Sequence, residues 1–281
     1  MKNSKGKLYI VATPIGNLGD LSERAREVLK AADYIAAESR SSAKKLAAVF
    51  SIHTPVIGFR ESSRERQIPK LVELLEGGKN IALITEGGTP LISDPGTELV
   101  ASAVERGISV SPIPGPSALI AALMASPLAG EFYFVGFLPR RKSKLVELLK
   151  SKLESGVAVV AFESPQRIKK TLAALEEEFK DDLEITLARE VTKINESFHY
   201  GSPPKVASEL AEPVKGEITL VMKLRFEIRQ VGATANWKAV ARALAEVGAR
   251  RKEIAKALSK PFAIETKIIY DYLVDETDEE R

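Results

Sequence analysis

From Lys7 to about Leu128, short apolar and β-branched runs alternate with amphipathic stretches, the pattern of a mostly parallel sheet joined by crossover helices. Strands are predicted over Leu8–Ala12, Asp33–Ala37, Asn80–Ile84 and Ser109–Ile113. Asp20 and Glu23 make a capping-box-like start for a helix carrying Val28 and Leu29. A helix over 63–76 stops at Gly77-Gly78, another covers 97–106, and one over 116–124 carries proline in its first turn.

The pattern pauses at Ser126–Gly130, and a second set of elements begins at Phe132. Strands are predicted over Phe132–Phe137, Val157–Phe162, Glu184–Ala188, Ile194–Tyr200 and Glu217–Leu224, with helices over Lys142–Leu153 and Pro165–Phe179. Strands that follow one another without intervening helices make this half α+β. After Arg229, the stretches Trp237–Val247, Arg251–Leu258 and Ala263–Leu273 predict a helical appendage, anchored by Trp237 and ending in an acidic tail, Asp275–Glu280, that is expected to fray. The expected division is an α/β lobe at 1–128, an α+β lobe at 129–228 and the appendage at 229–281.

Composition narrows the chemistry. The 281 residues include 44% hydrophobic and 28% charged, which excludes a wholly disordered or fibrous chain. Lys and Arg number 41 against 38 Asp and Glu, a net of +3, so nucleic-acid binding has to rest on a local patch. Cysteine is absent, which removes disulfides, thiolate nucleophiles and iron–sulfur ligation. His53 and His199, the only two histidines, are too few for an HExxH site and read as ordinary polar or packing residues; no metal is expected. The polar start leads into an apolar run, Leu8–Ala12, far too short to span a bilayer, so a soluble, cytoplasmic protein without a membrane partner is expected.

Three predicted strand ends carry glycine–proline loops: Thr13-Pro14-Ile15-Gly16-Asn17-Leu18, Glu86-Gly87-Gly88-Thr89-Pro90-Leu91 continuing to Ser93-Asp94-Pro95-Gly96, and Pro114-Gly115-Pro116-Ser117-Ala118. Ligands of open α/β sheets bind at the carboxyl ends of strands, and glycine lets the main chain approach them closely. One such loop is a turn; three at corresponding ends favour a ligand crevice. None fits GxGxxG or GxxxxGK[ST], so neither the dinucleotide fingerprint nor a P-loop is supported.

These loops, together with Gly136-Phe137-Leu138-Pro139, Phe162-Glu163-Ser164-Pro165 with Arg167, Leu187-Ala188-Arg189-Glu190 with Thr192-Lys193, and Gly216-Glu217, resemble the tetrapyrrole methylase superfamily. Within it they are most similar to the branch that methylates the 2′-hydroxyl of a cytidine in 16S rRNA of the small ribosomal subunit. The resemblance runs in consistent order from about Lys7 to Met222. It implies a two-lobed fold, S-adenosylmethionine folded into the cleft between the lobes, and a homodimer. By position, Pro14 and Gly16 would shape the cleft floor, Gly87, Gly88 and Thr89 would contact the methionine part, and Ser117 and Ala118 would line the third loop. Glu163, Ala188 and Glu217 stand where the second lobe of relatives meets the cofactor. The chain departs from the family at Glu86-Gly87, where Asp-Ala is usual, at Phe59-Arg60-Glu61-Ser62-Ser63, where a histidine–asparagine motif is usual, and at Gln166, usually histidine.

Ribose methylation needs the methyl in line with the attacking oxygen and an acceptor for the hydroxyl proton, either a carboxylate raised in pKa by burial or a lysine lowered. Glu86, Glu190 and Lys193 are the candidates; Glu190 and Lys193 read equally well as a surface ion pair. Arg40 stands at a strand end, as a phosphate ligand or a structural ion pair. For RNA, the densest basic cluster is Arg140-Arg141-Lys142 with Lys144, where a run of cations opposes the helix dipole. A second group, Arg250-Arg251-Lys252 with Arg242 and Lys256, flanks a Val247-Gly248-Ala249 break of helix-turn-helix type, with a plain packing domain as the alternative. Besides the rRNA methyltransferase, two functions stand open: methylation of a tetrapyrrole precursor, opposed by Gly-Thr-Pro in place of Gly-Asp-Pro, and an rRNA-binding assembly factor without turnover.

Overall fold

Strands β1 (Lys7–Val11), β2 (Tyr34–Ala37), β3 (Val56–Gly58), β4 (Ile81–Ile84) and β5 (Ser109–Ile113) pair in parallel in the order β3-β2-β4-β1-β5. Leu8 and Ile81, opposite one another in the register, are fully buried, as central parallel strands covered on both faces require. The computed structural model describes residues 5–153, 156–225, 237–246, 248–260, 262 and 264–278.

Helices α1 (Glu23–Ala31), α2 (Arg40–Val49), α3 (Arg64–Glu76) and α4 (Thr97–Glu105) cross between the strands. Ser22, and not Asp20, caps α1 by accepting from the Ala25 N–H; Asp20 closes a 3₁₀ turn capped by Asn17. Neither α2 nor β3 is predicted from the sequence. The buried face of α2 is only Ala43 and Ala47, too small to stand out, and a strand of three residues is too short to show alternation.

The second sheet contains β6 (Phe132–Phe137), β7 (Ala158–Glu163), β8 (Leu183–Arg189), β9 (Ser197–Gly201) and β10 (Ile218–Leu224) in the order β6-β7-β10-β8-β9, parallel only between β6 and β7. Helix α5 (Ala118–Met124) packs Leu119, Ala122 and Leu123 on Ala158, Val160 and Val221 of this sheet. The handover between sheets therefore falls at Pro114–Ser117 and not near residue 128, because the apolar side of α5 belongs to the second core. Helices α6 (Lys142–Leu153), α7 (Ile168–Phe179) and α8 (Pro203–Glu209) supply the remaining large core through Leu149, Leu172, Leu175 and Val206. Pro203-Pro204 hid α8 as a loop, although proline is well placed in a first helical turn.

The chain divides after Leu224 into two units, and both sheets lie in the first. The second unit holds α9 (Trp237–Glu246), α10 (Arg251–Ser259) and α11 (Thr266–Asp278) around Ala241, Ile254, Leu258 and Ile269. Trp237 meets Tyr272 edge to face at 5.0 Å, the anchoring expected of it. The expected start of this unit at 229 lies outside the described residues, and the acidic stretch is helical as far as Asp278. Among the described residues no helix is long and apolar enough to cross a membrane, and no group of three metal-ligating side chains is found.

Candidate active site

The three glycine–proline loops leave the carboxyl ends of β1, β4 and β5 and are laced together by the main chain. Thr13 and Gly88 exchange N–H···O bonds of 2.9 Å in each direction, an isolated antiparallel bridge. A Cβ on Gly87 would stand 2.9 Å from the Pro14 carbonyl oxygen, so the approach of the first two loops demands glycine there. Gly88 adopts φ +87°, the left-handed region, and the Thr89 hydroxyl donates to the Pro116 carbonyl at 3.0 Å, tying the second loop to the third.

A cavity of about 640 Å³ opens beside this lacing. The first sheet contributes Gly87, Gly88, Thr89, Ser117 and Ala118 to its lining. Opposite stand Glu163 at the end of β7 and Glu190, Lys193 and Glu217 from loops of the second sheet, with Phe137 and Phe162 as an apolar wall whose rings meet at 5.6 Å. Nine of the residues singled out in the sequence thus line one cavity. Gly16 lies under its rim: a Cβ there would stand 2.3 Å from Lys193 Cγ. Ala188 is fully buried in the core beneath. Pro14 and Glu86 line a second pocket of about 240 Å³, together with Thr13 of the bridge, and not the large cavity.

The charged side chains of the large cavity are paired. Lys193 Nζ lies 2.8 Å from Glu190 Oε1 and 3.1 Å from Glu217 Oε2, while Glu190 Oε1 also accepts from the Glu217 N–H at 2.9 Å. Glu190 and Thr192 hold φ +51° and +68°, a strained turn that folds Lys193 back. The Lys193 hydrogen bond holds the Glu190 carboxyl below its usual range; burial alone would lower Lys193, but its bonds to Glu190 and Glu217 raise it above the ordinary lysine value. Both directions are opposite to those a proton acceptor needs. Glu163, the last residue of β7 and 2% exposed, receives the Thr171 hydroxyl at 2.8 Å and an ion pair from Arg167, so its oxygens tie the strand end to α7.

Asp94 behaves differently. It lines the same cavity, partly buried, and burial followed by repulsion from Glu86 raises its pKa, opposed by a hydrogen bond from Thr85. Glu38, at the end of β2, is raised too, first by burial and then by Asp94 and Glu86. Sequence reasoning quoted Asp94 only as part of a loop block. The available signal was the strain around it, φ +76° at Leu91 and +66° at Ser93, which the sequence does not display.

Arg40 opens α2 exposed, its guanidino Nε close beside Gly58. Arg140, Arg141, Lys142 and Lys144 are all exposed at the start of α6, with Lys142 paired to Glu177. Arg250, Arg251 and Lys252 are exposed at the start of α10 in the second unit.

A family model described as tetrapyrrole (corrin/porphyrin) methylases matches residues 7–207. The chain belongs to the tetrapyrrole methylase family. It is 38% identical over 268 residues to a Synechocystis protein named ribosomal RNA small subunit methyltransferase I, covering 94% of this chain and 96% of that one. A Bacillus subtilis protein of the same name is 41% identical over 227 residues, 79% of this chain and 76% of the relative. Among solved structures, a diphthine synthase superposes with a TM-score of 0.62 over 79% of this chain and 92% of its own, at 18% identity, a likeness of fold. The chain is accordingly a methyltransferase, and its cofactor is S-adenosylmethionine. The cavity fits that cofactor: side-chain-free Gly87 and Gly88 leave main chain to face it, and carboxylates beside phenylalanine faces suit a cationic sulfonium compound.

Proposed function

We propose that this methyltransferase acts on the 2′-hydroxyl of a cytidine in 16S rRNA within the small ribosomal subunit. The observation that carries the reading is agreement at 38% identity with a small-subunit rRNA methyltransferase I along nearly the whole length of both chains. When bound, S-adenosylmethionine supplies a methyl group on a positively charged sulfur. The chain's residues do the rest. Gly87, Gly88 and Thr89 hold the amino-acid end by main-chain contacts; Gly16 lies under the rim; Ser117, Ala118, Glu163 and Glu217 bound the remainder, with Ala188 packing beneath, while Pro14 faces the smaller pocket. Asp94 accepts the hydroxyl proton as the new carbon–oxygen bond forms, a role its raised pKa and position on the cavity wall support better than the locked charges of Glu190 and Lys193. Those two, with Glu217, position the rim.

RNA phosphates meet Arg40 and the Arg140, Arg141, Lys142, Lys144 cluster, with Arg250, Arg251 and Lys252 as a further basic face of the second unit. The reading includes a homodimer working in the cytoplasm. Ile120 and Met124, one helical turn apart on α5 and 46% and 83% exposed, supply apolar surface for a second copy. The test is incubation with methyl-labelled cofactor and undermethylated 30S subunits, naked rRNA or uroporphyrinogen-type substrates. Label on a cytidine ribose is the expected result; label on a tetrapyrrole, or none anywhere, overturns it.

A further inference from the structure

The smaller pocket lies at the carboxyl ends of β1 and β4, against α2, and none of the roles above occupies it fully. Pro14, Leu46 and Ile84 give it apolar surface, and Thr13, Ser42, Thr85, Lys45 and Glu86 supply hydroxyls and one charge of each sign. Glu86 and Lys45 both line it, both exposed, and among the described residues neither forms an ion pair. Thr13 lines it as well, 2% exposed, with a hydroxyl that has no hydrogen-bond partner. A buried hydroxyl without a partner is uncommon and marks a place where a further polar group belongs. The surroundings are anionic, since Glu38 and Asp94 lie close enough to Glu86 to interact with it. A phosphate is therefore disfavoured there, whereas a neutral ring with a donor edge is favoured.

Resting on the rRNA reading, we propose that this pocket receives the cytosine ring of the target nucleotide. Glu86 accepts from the exocyclic amine, Lys45 donates to the ring carbonyl, and Leu46 and Pro14 face the ring. A volume of about 240 Å³ is ample for a single-ring base. A carboxylate accepting from the cytosine amino group is an established mode of base readout, and the carbonyl that uracil presents in its place would face the carboxylate without a proton between them. RNA is read in this way when an unstacked base leaves the strand. Gly88 lines the cofactor cavity and Thr13 lines this pocket, and the main-chain bridge between the two residues makes the openings neighbours, as a base and its own ribose require. Glu86 is thus a specificity residue, and the departure from the shorter aspartate places its carboxylate further into the pocket.

The test is a binding measurement that does not depend on where the methyl group goes. Short single-stranded RNAs differing only in a central cytidine or uridine are titrated into the full-length protein with S-adenosylhomocysteine present. The cytidine RNA should bind about tenfold more tightly, and Glu86→Gln should bring the two within about twofold. Affinity for S-adenosylhomocysteine should be unchanged in the variant. Thr13→Val, which removes the orphan hydroxyl, should keep or raise the melting temperature while weakening the cytidine RNA, the reverse of what a purely structural hydroxyl would give. Equal affinity of the two RNAs for the wild type, or a preference that survives Glu86→Gln, overturns the pocket. A cytidine preference with methyl appearing elsewhere than on ribose overturns the functional reading and leaves the pocket standing; ribose methylation without the preference does the opposite.

Discussion

Lys193 crosses Gly16 so closely that a single added carbon on the glycine would lie 2.3 Å from Lys193 Cγ and 3.2 Å from its main-chain nitrogen. A loop of the first sheet and a loop of the second are thereby in register at the cavity rim. Gly16 does not hold a left-handed conformation, so the requirement is for space. In Gly16→Ala the lysine has to move, its bonds to Glu190 and Glu217 loosen, and overpacking costs about 1–3 kcal/mol. A lower melting temperature together with weaker S-adenosylmethionine binding by calorimetry is expected; a variant indistinguishable from wild type in both would separate the rim from the cavity.

Asp94→Asn should reduce methyl transfer by about 10²–10⁴-fold with little effect on cofactor affinity, the size of effect general bases have. Stability should move the other way. A carboxyl whose pKa is raised in the folded state opposes folding once ionised, so its cost grows as pH rises above the ordinary 3.8. At pH 7 the asparagine protein should melt at the same temperature or higher. The acidic limb of the wild-type rate profile should lie above the ordinary aspartate range, and a limb at or below that range would remove Asp94 as the acceptor.

The Glu190–Lys193 pair predicts a pH window for stability. Glu190 is lowered when folded, so its contribution is present above the ordinary 4.5 and is lost as pH falls through the folded value. Lys193 is raised, so its contribution is present below 10.5 and is lost as pH rises through the folded value. Lys193→Met should therefore lose stability across the neutral range and narrow the difference from wild type only at the two extremes. With Glu190 and Lys193 each partly exposed, the effect at pH 7 should be about 1 kcal/mol. A constant difference at every pH, followed by thermal melts, would mean the pair is not the source.

Much of this was legible in the residues. The parallel strands β1, β4 and β5 announce themselves as apolar runs, and their glycine–proline ends mark one wall of the cavity in the sequence itself. What composition and period could not convey is how charges partner in space. Glu190 and Lys193 read in sequence equally as titratable chemistry or as an ion pair, and a turn with positive φ at Glu190 and Thr192 folds them into the pair. Asp94 looks like punctuation between Ser93 and Pro95, and it is burial, which the sequence does not display, that raises its pKa. Glu86 reads as facing the cofactor, yet it lines the smaller pocket and not the cofactor cavity. Short or alanine-faced elements, β3 and α2, escaped for a plainer reason: too few large side chains to generate a period.

Arg140 and Arg141 supply the last prediction. Both are exposed just before α6, where the helix dipole disfavours cations, so the fold gains little from them, and the proposed RNA contact assigns them to phosphates. Lys142 beside them is held by Glu177 and offers an internal comparison. Replacing both arginines with glutamine should leave the melting temperature and cofactor affinity unchanged, weaken binding to undermethylated 30S subunits, and reduce the slope of log K against log salt by roughly 1–2, the release expected for one or two lost phosphate contacts. Lys142→Gln, removing a charge already spent on a carboxylate, should change that slope less. An unaltered slope in the double variant would move the RNA-binding surface elsewhere on the chain.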